Sequence, residues 1–149
     1  MQRPRPRRGL YDDPYWAFAA EGELRLQNCV SCQAFRYPPG PVCPECLSER
    51  ADWVLLSGQG RLLSWTVFHR QYFPGMPPPY LVAAVRTAEG PILIGNLIDL
   101  KASDLELDMP LSAVFEDVSS PDGDWRICLW QHNPTTPTKP AITPAGDTR

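Results

Sequence analysis

Histidine is scarce in this sequence, with only His69 and His132 present. No general-base system is spelled out in the primary structure, because a catalytic His69 needs a nucleophile and an orienting group beside it, and neither is assignable. Long apolar runs are also missing. No segment approaches the roughly 18 residues that cross a bilayer as a helix. The basic start runs into Tyr11-Asp12-Asp13-Pro14 rather than into the apolar core of a secretory signal. The expectation is a cytoplasmic protein with no membrane partner. Positive charge is in deficit, since 14 lysines and arginines against 17 aspartates and glutamates leave a formal net charge of -3. Nucleic-acid binding usually shows a basic domain or stripe, so no nucleic-acid partner is expected. The cationic cluster Arg3, Arg5, Arg7 and Arg8, interleaved with Pro4 and Pro6, reads as a flexible tether.

Proline, by contrast, is abundant. The 18 prolines gather in the first fourteen residues, in Tyr37–Pro44, in Phe73–Pro79 and after Asn133, leaving Trp53 to Gln131 comparatively free of breakers. With no internal repeat, five segments follow: a basic lead (1–10), a helix (11–23), a cysteine-rich part (24–56), a strand-rich part (57–133) and a disordered tail (134–149). Asp13 is the expected N-cap, with Pro14 at the first helical position and Gly22 ending the helix. Arg61–His69, Tyr80–Arg86, Ile92–Ile98, Leu111–Val118 and Trp125–Trp130 are rich in apolar, β-branched and aromatic residues and read as strands. Thr87–Pro91 makes a hairpin turn, and Ser103–Leu107 a short helical turn capped by Ser103 or Asp104. Five strands with a helical turn between the third and fourth suggest a closed barrel of the OB type. An open five-stranded sandwich gives a similar pattern.

The strongest chemical signal is Cys29-Val-Ser-Cys32, ten residues, then Cys43-Pro-Glu-Cys46. Each Cys-x2-Cys forms a tight turn that aims two thiolates at one point. Two such turns supply the tetrahedral sulfur set that zinc prefers, although a rubredoxin-type iron centre uses the same ligands. All four positions are then filled by protein, so the metal is structural. Cys128 is the odd cysteine, placed in the last strand as a buried, inert thiol. Arg70, Tyr72, Phe73 and Met76 lie on a proline-stiffened loop suited to binding. Tyr11, Tyr15, Trp16 and Phe18 exceed what one face of a short helix needs, which sets docking on a partner against packing on the chain itself.

The order of these parts resembles the zinc-ribbon and OB-fold family associated with acyl-CoA metabolism, first catalogued as domain of unknown function number 35. The resemblance rests on Tyr15-Trp16, Gly22-Glu23-Leu24, both cysteine pairs, Tyr37-Pro38-Pro39, Ser57-Gly58-Gln59-Gly60, Ser64-Trp65-Thr66-Val67, Gly95-Asn96-Leu97 and Val114-Phe115-Glu116-Asp117. It covers about Tyr11 to His132, and departs from the family in two places, the ribbon loop, which is Gln33-Ala34-Phe35-Arg36 here, and the family's closing Phe-x-Pro, where this chain has Trp130-Gln131-His132-Asn133-Pro134. The resemblance implies an N-terminal helix, a rubredoxin-like ribbon and a five-stranded barrel. It implies a non-catalytic subunit beside a thiolase-like aldolase or acyltransferase, some of which act in steroid side-chain degradation, and which the subunit helps to bind acyl-CoA. On that view Cys29, Cys32, Cys43 and Cys46 hold Zn2+, while Tyr11, Tyr15, Trp16 and Phe18 dock on the partner. Arg70, Tyr72, Phe73, Arg36 and, less centrally, Arg61 are the acyl-CoA candidates. The rivals are a single-stranded nucleic-acid-binding OB protein, an accessory subunit of a hot-dog-fold hydratase, and a self-contained enzyme using Cys128 or His69.

Overall fold

The structure, a computed structural model, describes residues 3–120 and 123–134. Helix α1 spans Asp13–Ala20. It begins one residue earlier than expected, because Asp12 rather than Asp13 precedes the first turn. The Asp12 carboxylate does not cap the helix but accepts the Gly9 N–H at 2.7 Å. The end is as expected. Gly22 takes φ +80°, its N–H donates to the Ala19 carbonyl, and the Glu23 N–H donates to that of Phe18. That paired closure requires a left-handed residue after the helix, which glycine adopts at little cost.

Three short antiparallel strands follow: β1 (Arg25–Cys29), β2 (Phe35–Arg36) and β3 (Ala51–Leu55), in the order β2-β1-β3. The second sheet holds β4 (Gln59–Phe68), β5 (Tyr80–Thr87), β6 (Ile92–Asn96), β7 (Pro110–Val118) and β8 (Trp125–His132), ordered β6-β5-β4-β7-β8. A register shift between Leu62 and Ser64 bends β4, as a bulge does, so that one strand can serve both β5 and β7. A parallel bridge from Leu97 to Trp130, with the Ile98 N–H donating to the Trp130 carbonyl at 3.0 Å, joins the two outer strands. This closure separates a barrel from the open sandwich that the strand pattern alone allowed. The helical turn between β6 and β7 is a 3₁₀ turn at Ala102–Asp104. It starts before Ser103 because the Asp104 carboxylate reaches back to the Lys101 N–H, and Leu105 is thereby buried in the barrel core.

Leu62, Val85, Leu111, Leu129 and Trp130 are all fully buried. Trp130 fits only because two neighbours lack side chains. A Cβ on Gly95 would meet its indole at 2.9 Å, and one on Gly60 would meet Val85 at 2.6 Å and the indole at 3.4 Å.

The arginine-rich lead is a correction to the sequence reading. It does not hang free as a tether, for Arg3 is only 6% exposed and held against the barrel. The expected disordered tail lies outside the described residues from position 135 onward.

Candidate metal centre and binding surfaces

Strand β1 ends on Cys29, and the chain turns at once so that the Gln33 N–H donates to the Cys29 carbonyl. The second pair repeats the device, with the Leu47 N–H donating to the Cys43 carbonyl at 3.0 Å. Gln33 and Leu47 each follow the second cysteine of a pair, and both take positive φ, at 64° and 61°. The two turns present their sulfurs to one point. Cys29 and Cys46 stand 3.6 Å apart, Cys32 and Cys43 stand 3.5 Å apart, and all four sulfurs lie within 4.8 Å of one another. A tetrahedron with Zn–S of about 2.3 Å has sulfurs about 3.8 Å apart, so the set fits zinc, whereas a disulfide would need about 2.05 Å.

Electrostatics favour the same occupant. The N–H groups of Cys32 and Ser31 point at the Cys29 sulfur and lower its pKa to about 5. Burial opposes ionisation of Cys43, but the N–H groups of Cys46 and Glu45 outweigh it and the pKa falls. Cys32 receives the Ala34 N–H, yet the sulfurs of Cys46 and Cys43 push it up to about 12. Four thiolates this close repel one another, and a divalent cation of tetrahedral preference removes that repulsion. The centre is a rubredoxin-like zinc ribbon with a structural zinc held by Cys29, Cys32, Cys43 and Cys46.

Arg36 must be taken off the set of acyl-CoA candidates. It is 2% exposed, and its guanidinium donates to the carbonyls of Gly40, Pro41, Ser48, Glu49 and Arg50. It ties the strand after the first cysteine pair to the chain on either side of the second, and its one unpartnered nitrogen, Nε, is buried where no phosphate reaches. Arg61 is also engaged, donating to the Asp108 carbonyl at 2.8 Å.

The helical aromatics are used inside the chain to a larger extent than the sequence indicated. Trp16 meets Trp125 of β8 edge-on at 5.6 Å, and Phe18 meets Trp53 of β3 at 5.6 Å, with the Arg25 guanidinium 4.9 Å above its ring. Tyr15 packs against the barrel core. Its pKa lies well above the ordinary tyrosine value, first through burial and then through neighbouring Cys128 and Tyr37. The apparent excess of aromatic surface arises because α1 is wedged between two sheets. Tyr11 stays 43% exposed beside Leu10 at 81%.

The β4–β5 loop is open to solvent. Phe68 and Tyr80 stack at 5.0 Å, Tyr72 meets Phe68 edge-on, and Arg70 lies 5.6 Å over the Tyr72 ring. Tyr72 and Phe73 are exposed, while Met76 is buried and anchors the loop. The Phe68–Tyr80 stack was missed in the sequence, where the two residues belong to different strands. Cys128 is buried, as expected, and burial pushes its thiol up to about 12. His69 and His132 are both exposed at strand ends. No helix among the described residues is long and apolar enough to cross a membrane.

Two family models match the chain: "ChsH2, rubredoxin-like zinc ribbon domain" over residues 16–51 and "ChsH2, C-terminal OB-fold domain" over residues 53–116. The chain is 38% identical over 110 residues to a "Probable enoyl-CoA hydratase alpha subunit" of Thermomonospora curvata, covering 73% of this chain and 34% of that protein. It is 28% identical over 117 residues to the "3-oxo-4,17-pregnadiene-20-carboxyl-CoA hydratase alpha subunit" of Mycobacterium tuberculosis, covering 78% of this chain and 36% of that protein. The chain thus spans about a third of the length of these curated relatives. Among solved structures, a chain of the "Ltp2-ChsH2(DUF35) aldolase" superposes with a TM-score of 0.74 at 30% identity, covering 86% of this chain and 98% of that one.

Proposed function

Because the chain belongs to the DUF35 family of ChsH2-type zinc-ribbon and OB-fold proteins, we propose that it is a non-catalytic subunit that docks on a thiolase-like aldolase or acyltransferase and helps it to hold an acyl-CoA. The observation that carries this reading is the likeness over 98% of a chain from an aldolase named for two components, Ltp2 and ChsH2. The zinc ribbon and α1 give such a subunit a rigid docking edge, since the exposed Leu10 and Tyr11 precede a helix anchored on both sheets. Apolar side chains also protrude around the cysteine turns, at Val30, Val42 and Leu47.

For acyl-CoA, Arg70 with Tyr72 and Phe73 is the preferred contact. An arginine beside exposed aromatic faces offers charge to a phosphate and stacking to a base. Arg36 plays no part in that contact. The thiolase-like partner supplies the nucleophile and the base. The hydratase alpha subunits among the relatives favour a second reading, in which the partner is a hot-dog-fold acyl-CoA hydratase. A steroid-derived thioester is the substrate class that the mycobacterial relative's name suggests.

A tagged chain drawn from its native extract tests both readings. Co-purification of a stoichiometric thiolase homologue, with acyl-CoA turnover by the pair and none by the chain alone, is the expected outcome. A captured hydratase selects the second reading, and robust turnover by the isolated chain defeats both.

A further inference from the structure

Strand β3 forms one edge of the ribbon sheet, which runs β2-β1-β3. Its register on β1 settles which backbone groups are left over. The Leu56 N–H donates to the Leu24 carbonyl at 2.8 Å and the Val30 N–H to that of Arg50 at 3.2 Å, so the even-numbered residues of β3 are the ones bonded to β1. The N–H and C=O groups of Ala51, Trp53 and Leu55 therefore point away from β1, out of the edge. The Trp53 carbonyl takes a long bond from Arg25 Nη1, at 3.4 Å, and keeps a second lone pair. Natural edge strands are normally very short, charged, bulged or covered. The opposite edge, β2, is such a case, being two residues long and running into Pro38 and Pro39. Strands β6 and β8 close on each other at Leu97 and Trp130. By contrast, β3 pairs in unbroken register over five residues, contains neither proline nor lysine, and leaves Val54 and Leu55 exposed.

We propose that this edge pairs antiparallel with β3 of a second copy of the chain, joining the two ribbons into one continuous sheet, β2-β1-β3-β3-β1-β2. The strand is complementary to itself. A two-fold axis through Trp53 sets Trp53 against Trp53 of the second copy, Ala51 against Leu55 and Asp52 against Val54, so every residue of β3 is paired. Outward groups then meet only outward groups, because odd-numbered residues face odd-numbered ones. Asp52, the charged residue of the strand, faces a valine. A shift that set Asp52 against Asp52 brings like charges directly opposite, which is unfavourable. Leu55 comes to lie beside Ala51 of the second copy and loses its exposure to water. The helices do not obstruct this pairing. Helix α1 packs on β8 and β1, and the two β1 strands would stand three strand spacings apart, about 14 Å, which exceeds the roughly 8–10 Å between packed helices. An edge of this length buries little area, so the dimer is weak, with a dissociation constant on the order of 10–100 µM. This pairing concerns the chain alone and stands whichever enzyme the chain serves.

The test is sedimentation of the full zinc-loaded chain from micromolar to millimolar concentration, with monomer at the low end and dimer at the high end as the expected result. Leu55→Pro removes an outward N–H and spares the ladder to β1. It should weaken the dimer at least about tenfold, with zinc retained and the Leu26 and Asn28 amides still protected. Leu55→Lys, a guard of the kind natural edges carry, should act in the same direction and decides the matter if the proline variant loses its zinc. In a mixture of isotope-labelled and unlabelled chains, the register also requires a close intermolecular contact between the α-protons of Asp52 and Val54, which form a non-hydrogen-bonded pair. A chain that stays monomeric at millimolar concentration overturns the proposal. So does a dimer that Leu55→Lys leaves unchanged, or one whose contacts lie away from β3. A monomeric chain that still captures its enzyme overturns the pairing alone and leaves the subunit role standing.

Discussion

Arg36 carries more of the ribbon than any apolar side chain near it. Two nitrogens of its guanidinium serve five carbonyls from two stretches of chain that share no strand pairing. Replacing it with leucine removes the donor from the Gly40, Pro41 and Glu49 carbonyls, whereas those of Ser48 and Arg50 keep the N–H groups of Cys43 and Val30, and the lost charged hydrogen bonds are expected to cost about 3 kcal/mol. Lysine is expected to recover little, because one ammonium cannot reach both stretches. Denaturant titration of the zinc-loaded variants checks both statements. The two left-handed residues work in the opposite direction. Leu47 holds φ 61° and is 74% exposed, so its side chain adds strain and no packing. Leu47→Gly is expected to stabilise the ribbon by about 1 kcal/mol, the left-handed penalty less glycine's entropic cost. A fall in stability would mean that Leu47 makes a contact worth more than the strain.

Among the elements, β6 and β8 decide whether the barrel is closed. Their junction is Leu97 against Trp130, and the Gly95 backbone lies directly on that indole. Gly95→Ala puts a Cβ 2.9 Å from the ring, which forces the tryptophan or the strand to move and costs about 1–3 kcal/mol. Gly40→Ala, with nothing within 4 Å of its Cβ, is the control expected to be near neutral. Amide exchange on Leu97 and Ile98 would rise first if the closure is what yields. Helix α1 is the other deciding element. Eight residues are too few to stand alone in water, and the Trp16–Trp125 and Phe18–Trp53 contacts supply what propensity does not.

On the scale of the whole molecule, the chain joins two units of unequal self-sufficiency. The barrel has a continuous apolar core, while the fully buried side chains of the ribbon are Leu26, Cys29 and Cys43. Removing zinc with a strong chelator is therefore expected to unfold the ribbon and loosen α1 through the lost Trp53 contact, with the barrel amides still protected. Metal analysis should give one zinc per chain, and tryptophan fluorescence with hydrogen exchange separates this local loss from global unfolding. Global loss of protection would show that the barrel depends on the metal too.

What could be read from the residues alone was whatever depends on close neighbours. The two Cys-x2-Cys turns announced their metal because each turn is local and thiolate chemistry needs no distant help. Strand positions followed from runs rich in apolar, β-branched and aromatic residues, and the end of α1 from Gly22. Tertiary structure alone decided the rest. Arg36 looked like a free cation until the second cysteine pair folded over it, and Trp16 and Phe18 looked surplus until two sheets enclosed them. Arg3 read as part of a tether because Asn96 and Glu116, its partners, lie 93 and 113 residues away. Barrel closure likewise rests on Leu97 meeting Trp130. Such pairings leave no periodicity in the sequence, since they are selected by the shape and burial of the assembled sheets rather than by any preference of the segments that make them.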